Sequence, residues 1–175
     1  DEPVKRWIVV GLAFSLVGDV ALLWPVQGFL VGLVAFLLGH LAYLAALTRR
    51  VKFLASAPAF GAWAIVAASV LASLWGGVPP QLRAPVLVYV CALAAMAAQA
   101  TSVWLARRGQ ADAARWRSVA IGGALFVLSD AILATDKFVG GIPLPTLWNL
   151  STYWLAQWLI ARAAVASRPD LRNPE

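Results

Sequence analysis

Asp19, His40 and Asp130 are the side chains with which this sequence could do chemistry, because each lies inside apolar sequence. Asp19 and His40, the only histidine, fall in the apolar stretch from residue 11 to residue 43, and Asp130 falls in LFVLSDAILAT. An ionisable side chain near the middle of a membrane helix costs about 2.5–3.5 kcal/mol on insertion scales, so it usually faces a partner, a cavity or a substrate. These three residues are therefore the first candidates for a site.

Two carboxyl groups that meet in an apolar cavity are suited to acid–base chemistry. Removal from water favours the protonated form, and two neighbouring carboxyls rarely ionise together, so one keeps its proton while the other is charged. Such a pair provides an acid and a base for a hydrolysis that needs a difficult protonation and an activated water. We predict that Asp19 and Asp130 form this pair. The alternative is that both aspartates only hold helices together, through hydrogen bonds to Ser15, Ser129 or Tyr153.

The composition indicates that these residues belong to an integral membrane protein. Of 175 residues, 62% are hydrophobic and 13% are charged, which is too little polar surface to cover a soluble globule. The net charge of +6 comes from short Lys and Arg clusters between apolar segments, so we predict membrane loops and no nucleic-acid partner. The single cysteine, Cys91, provides neither a disulfide framework nor a metal knuckle.

The predicted fold class is all-α, a polytopic membrane helical bundle with six transmembrane helices in one domain, residues 1–175. Six crossings follow from the length at about 20 residues per crossing plus short loops. Prolines between the apolar segments mark turns, where a missing backbone N–H does little harm. The predicted spans are Trp7–Trp24, Gly28–Thr48, Phe53–Leu74, Ala84–Ala106, Trp116–Thr135 and Thr146–Ala166.

Lysine and arginine positions predict the orientation of this bundle. In the six-span scheme, twelve of the fourteen Lys and Arg residues fall on one side, among them Arg168 and Arg172, and only Arg83 and Lys137 fall on the other. The positive-inside rule then places both termini in the cytoplasm. The expected location is a bacterial inner membrane.

This orientation arranges the polar residues as a column. Asp19 and Asp130 lie on helices that run in the same direction, each about five residues before the outer end and so roughly 8 Å inside it. Tyr153 and Gln157 continue inward on the sixth span, and His40 lies about 18 Å deep on the second. We therefore expect one site that begins near the outer side of the membrane.

Other residues are predicted to support the two aspartates, with ordinary packing or helix contacts as the alternative for each. Lys137 lies at the outer mouth, where it could contact a lipid phosphate, or form a solvated pair with Asp136 as its own alternative. A zinc site formed by Asp19, Asp130 and His40 matches no established ligand spacing, so we predict neither a metal nor a cofactor. The predicted supporting residues are His40, Tyr43, Ser15, Ser129, Lys137, Tyr153 and Gln157.

Four motifs follow one another along nearly the whole chain: GLAFSLVGDVALL, FLVGLVAFLLGHLAYL, ALFVLSDAILA and TYWLAQWLIA. In this order they resemble the motifs of the YhhN family of membrane proteins, which includes lysoplasmalogenases. The resemblance implies an eight-helix bundle, of which this chain lacks the first two helices. Because that number is even, the predicted orientation is unchanged.

The resemblance also implies an activity, which is hydrolysis of the vinyl ether bond of lysoplasmalogens to a fatty aldehyde and a glycerophospho-base, without a cofactor. Asp19 and Asp130 match the motif aspartates, so the resemblance implies that they are catalytic. The implied partners are a lysophospholipid substrate and the surrounding membrane lipids, with no obligate protein partner. Four more residues match motif positions of less defined role: His40, Tyr43, Tyr153 and Gln157.

Alternative functions stay open on the sequence alone. The same cavity could hydrolyse another lipid ether, ester or amide, and a column of polar residues in a membrane bundle could also carry protons in coupled transport of a small solute. Against transport, no ionisable residue continues the column beyond Gln157 and His40 to the cytoplasmic side. A purely structural role is the third interpretation.

Overall fold

The computed structural model describes residues 2–24 and 26–164, which fold into six α-helices and one short 3₁₀ turn. The helices are α1 Glu2–Leu22, α2 Phe29–Thr48, α3 Ala57–Leu74, α4 Pro80–Ala106, α5 Ala113–Phe138 and α6 Pro145–Ala161, and the 3₁₀ turn is Arg162–Ala164. The predicted all-α class is confirmed. The predicted end of the sixth span at Ala166 lies outside the described residues, as do Arg168 and Arg172.

Four of these helices, α2 to α5, are long and apolar enough to cross a membrane. Helix α6 has only 17 residues, and α1 carries three charged residues near its start in addition to Asp19. The described residues therefore make a helical membrane protein with four candidate spans. The number of six crossings stays a prediction.

Proline, serine and glycine set the helix ends. Pro80 and Pro145 occupy the first turns of α4 and α6, where a proline loses no intrahelical hydrogen bond. Ser56 caps α3 by accepting a hydrogen bond from the Ala59 N–H at 3.4 Å, so this helix begins four residues later than the span predicted from Phe53. Helix α5 ends where Gly140 adopts a φ of 80°, a left-handed conformation that favours glycine.

Helices α1 and α2 form an antiparallel hairpin with glycines at the contact. A Cβ atom added at Gly11 would overlap the ring of Tyr43, and one added at Gly18 would overlap the ring of Phe36. Partner numbers in α2 fall as residue numbers in α1 rise, which defines the antiparallel direction. Small residues let membrane helices approach closely, so this hairpin holds its rings directly against a backbone.

Helices α5 and α6 form a second antiparallel hairpin. Gly122 packs against the backbone of Ala156 and the side chain of Ile160. Further along, the Asn149 Nδ2 donates hydrogen bonds to both the backbone oxygen and the hydroxyl of Ser129, each at 2.9 Å. Each of the two hairpins carries one of the two predicted catalytic aspartates on its first helix.

Helix α4 joins the two hairpins, because it packs against α2, α3 and α5. Within the described chain α2 and α3 do not pack against each other, although they are consecutive, and neither do α1 and α5. Helix α3 rests mainly on α4, and only Ala59 and Leu74 of its residues are buried. The space that this arrangement leaves between α2, α3, α4 and α5 is where the candidate site lies.

Candidate active site

An apolar cleft with a cavity volume of about 90 Å³ occupies the space between α2, α3, α4 and α5. On α3 its lining extends from Trp63 to Leu74, a distance of about 16 Å at 1.5 Å per residue. Phe29 and Phe138 line it where α2 begins and α5 ends. The cleft is therefore long, narrow and suited to an apolar chain.

Asp130 provides the carboxyl group among the residues that line this cleft. The hydroxyl of Tyr89, on α4, donates a hydrogen bond to Asp130 Oδ2 at 2.5 Å. Tyr89 also lines the cleft, and its side chain is otherwise buried. The cleft thus contains a carboxyl group, and one of its two oxygens accepts a hydrogen bond from the Tyr89 hydroxyl.

Tyr89 was not among the residues predicted from the sequence. It lies nine residues after the start of α4 at Pro80, about 14 Å along the helix, and Asp130 lies eight residues before the end of α5 at Phe138, about 12 Å. Since α4 starts and α5 ends on the same side of the bundle, these depths agree. A comparison of depths between spans could therefore have identified Tyr89.

Asp19 is the end of a separate chain of hydrogen bonds that runs through α2, α6 and α1. Tyr43 donates to Gln157 Oε1 at 2.6 Å, Gln157 Nε2 donates to the Tyr153 hydroxyl at 3.0 Å, and Tyr153 donates to Asp19 Oδ2 at 2.8 Å. All three hydrogen bonds point toward the carboxyl group. The structure thus brings together four of the residues predicted from the sequence.

His40 is completely buried and lies between these two groups. Its ring makes edge-to-face contacts with Tyr89 at 5.2 Å and with Phe126 at 4.6 Å between ring centroids, and Phe126 in turn contacts Tyr153 at 5.4 Å. Neither ring nitrogen has a hydrogen-bond partner among residues 2–24 and 26–164. His40 therefore connects the two carboxyl-bearing pairs through aromatic contacts and not through polar ones.

The two aspartates belong to different hydrogen-bonded pairs. Asp19 bonds to Tyr153 and Asp130 to Tyr89, and Asp19 is not among the residues that line the cleft. Leu22, three residues after Asp19 and close to the same face of α1, does line it. Asp19 thus lies near the wall of the cleft, whereas a direct pairing of the two carboxyl groups stays a prediction.

The remaining predicted supporting residues lie at helix contacts or at the edge of the cleft. Ser15 is buried at the contact of α1 and α2, opposite Gly39. Ser129 is buried and bonds to Asn149, so it joins α5 to α6. Lys137 is exposed, and its Nζ lies 4.0 Å from the centre of the Phe29 ring, beside the mouth of the cleft.

The residues that the structure describes do not include a set of side chains that could bind a metal ion. Among them, no three His, Cys, Asp or Glu side chains come close enough together to hold a metal ion. The chemistry that the described residues offer is that of carboxyl groups and phenols beside an apolar cleft.

The family model described as "YhhN family" matches residues 1–164. The chain belongs to the YhhN family. Among curated relatives, this YhhN protein is 34% identical to lysoplasmalogenase TMEM86A of Bos taurus over 98% of this chain and 70% of that protein. It is 33% identical to a lysoplasmalogenase of Mycobacterium bovis over 83% of this chain and 56% of that protein. No solved structure matches the YhhN chain significantly.

Proposed function

We propose that this YhhN protein is a membrane-embedded hydrolase that cleaves the vinyl ether bond of lysoplasmalogens, yielding a fatty aldehyde and a glycerophospho-base. The observation that carries the proposal is the position of Asp130, a carboxyl group in the wall of a long apolar cleft. Relatives from mammals and mycobacteria that carry the name lysoplasmalogenase support the substrate. A vinyl ether needs an acid in contact with an apolar chain, which is what the cleft offers.

The cleft suggests how the lipid would lie. Its hydrocarbon chain fills the apolar lining, with the vinyl ether beside Asp130 and the headgroup at the mouth. Lys137, on the same helix as Asp130 and two turns farther along, lies about 10 Å from that level, where it would contact the phosphate. A lysolipid has a single chain, which matches a single narrow cleft.

In the proposed reaction Asp130 acts as the acid. The protonated carboxyl transfers its proton to the second carbon of the chain, and the first carbon becomes an oxocarbenium ion that water attacks. The water loses one proton and forms a hemiacetal, which collapses to the aldehyde as the glycerol oxygen leaves with a proton. The proton that the attacking water gave up returns to Asp130, so the net change is addition of one water molecule.

Asp19 is proposed as the group that accepts a proton from the attacking water. Its Oδ2 is the final acceptor of three successive hydrogen bonds, an arrangement that stabilises a charged carboxylate. Asp19 is half-buried, and Leu22 and Phe36 next to it line the cleft. Water held at Asp19 would therefore approach from the α1 side of the cleft.

We also propose six membrane crossings, with the basic end of the bundle and both termini in the cytoplasm of a plasma membrane. The described connections α2–α3 and α4–α5 lie at one end and contain Arg49, Arg50, Arg107 and Arg108, whereas Lys137 lies at the other. The positive-inside rule supports this orientation. The mouth of the cleft then opens near the outer leaflet.

The activity can be tested with purified protein in lipid nanodiscs. We expect release of fatty aldehyde from a lysolipid with a vinyl ether, but no cleavage of the matched saturated ether, whose chain carbon cannot be protonated. In D₂O the aldehyde gains one deuterium on its second carbon. Faster cleavage of a matched ester or amide would favour the alternative hydrolase, and proton flux into liposomes without lipid turnover would favour a transporter.

Substitution of the aspartates tests the assignment of acid and base. Asp130→Asn and Asp19→Asn are each expected to lower kcat about 100-fold or more, because a positioned acid or base contributes roughly 10²–10⁴-fold. Asp136→Asn is the matched control, since Asp136 is an exposed carboxylate on the same helix as Asp130. Full activity of both site variants would rule the mechanism out.

A further inference from the structure

Tyr89 contacts Asp130 in a way that distinguishes the two oxygens of its carboxyl group. The hydroxyl of Tyr89 donates to Oδ2 at 2.5 Å, whereas Oδ1 has no hydrogen-bond partner among the described residues. An oxygen that accepts a short hydrogen bond from a phenol is a poor position for the acid proton. In the neutral carboxyl group the proton therefore lies on Oδ1.

The orientation of Tyr89 is itself fixed by packing. Its side chain is 8% exposed, and its ring lies edge-to-face against His40 with 5.2 Å between centroids. His40 is packed on its other side by Phe126. A ring held in this way keeps the hydroxyl at one place, so the carboxyl group of Asp130 cannot rotate freely about its last bond.

From this geometry we infer that Tyr89 is a positioning residue for the reaction: it holds Asp130 so that Oδ1 carries the proton and faces the cleft. The inference rests on the proposed function, in which Asp130 is the acid. Once the proton has moved to the substrate, the same hydrogen bond stabilises the carboxylate that remains. Tyr89 does not itself contact the reacting carbon, and its effect passes through Asp130.

The first test is Tyr89→Phe, which keeps the ring against His40 and removes only the hydroxyl. We expect kcat to fall about ten- to a hundred-fold, the range for a hydrogen bond to a charged group, while KM changes less than about two-fold. Trp63→Phe is the control, because Trp63 also lines the cleft but bonds to Thr101 at 3.0 Å. This variant is expected to change KM more than kcat. Unchanged kcat in Tyr89→Phe would overturn the inference.

The second test does not depend on activity. Infrared difference spectra between wild type and Asp130→Asn should contain the C=O stretch of a protonated carboxyl group. Because a hydrogen bond to Oδ2 lowers this frequency, the band should move to higher frequency in Tyr89→Phe and stay in place in Trp63→Phe. A missing band, or one that does not move, contradicts the inference. A band that moves in a protein without vinyl ether hydrolysis would keep the pairing and reject the proposed function.

Discussion

Two ways of burying a polar side chain occur within a few ångströms in this protein. Tyr43, Gln157 and Tyr153 pass hydrogen bonds from one to the next until Asp19 accepts the last. His40, which is completely buried, has two ring nitrogens without a partner among the described residues. A satisfied network stabilises one arrangement of its members, whereas an unpaired buried group costs about 1–3 kcal/mol.

We therefore expect His40→Leu to leave the free energy of unfolding unchanged or to raise it by up to about 2 kcal/mol. The substitution removes unpaired polar atoms and keeps a similar side-chain volume. Tyr153→Phe is the comparison, since it removes the hydrogen-bond partner of Asp19 Oδ2 and of Gln157 Nε2 and should lower the melting temperature. Thermal unfolding of both variants in the same detergent measures the difference. A greater loss of stability in His40→Leu than in Tyr153→Phe would show that His40 is paired.

The sequence predicts part of this site for a clear physical reason. Tyr153 and Gln157 are four residues apart on one helix, so they share a face, and the predicted depth of Tyr153 is close to that of Asp19 on an antiparallel neighbour. Tyr89 was missed because a single tyrosine in the apolar α4 has no polar neighbour in sequence. Which oxygen of Asp130 it contacts depends on side-chain rotation, and spacing along a helix does not contain that information.

At the scale of the elements, close glycine contacts hold the two helices of each hairpin together and position the site. The ring of Tyr43 lies against Gly11, and the ring of Phe36 lies against Gly18. Both rings belong to the site, since Tyr43 begins the hydrogen-bond chain and Phe36 lines the cleft beside Tyr153 at 5.9 Å. The distance between α1 and α2 therefore also sets the distance between the polar groups.

Gly11→Ala should disturb both packing and site. The added Cβ overlaps the Tyr43 ring, so we expect a loss of about 1–3 kcal/mol in stability and a weaker Tyr43–Gln157 hydrogen bond, with lower activity as a result. Gly61→Ala is the matched control, because nothing lies within 4 Å of a Cβ at that position in α3. Melting temperature and kcat report the two effects, and equal behaviour of the two variants would contradict the prediction.

Element boundaries show the same division between what sequence can and cannot predict. Pro80 and Pro145 are the first residues of α4 and α6, although the sequence placed both in turns, so α4 begins four residues before the predicted Ala84. The start of α3 was wrong by four residues, because hydropathy continues through Phe53 while the Ser56 cap and the left-handed Leu54 define the actual start. Apolar content predicts where a helix can lie in a membrane, but hydrogen bonds at the cap decide where it begins.

At the scale of the whole molecule, the charge asymmetry predicted from the sequence matches the packing of the described helices. The Arg50 guanidinium, in the connection between α2 and α3, lies 5.3 Å from the centre of the Trp116 ring near the start of α5, so the two basic connections lie at the same end. Which helices pack together could not be predicted, since apolar faces of membrane helices are similar to one another. The separation of α2 from α3, which leaves the cleft, depends on that pairing.

The topology can be tested with single cysteines in a Cys91→Ser background, which removes the exposed native thiol. Lys137→Cys should react with an impermeant thiol reagent added to intact cells, whereas Arg108→Cys should react only after the membrane is opened. Lys137 lies in the last turn of α5, and Arg108 lies in the connection between α4 and α5. The two positions are therefore at opposite ends of α5. Labelling of both positions from outside would reject the proposed orientation.

The loose attachment of α3 has a consequence for how this protein meets its surroundings. One long wall of the cleft is a helix that rests mainly on α4 and presents most of its surface outward. We therefore expect lipid tails of the membrane to pack against the outer surface of α3, which forms this wall of the cleft. As a result, we expect bilayer thickness and lateral pressure to change the width of the cleft.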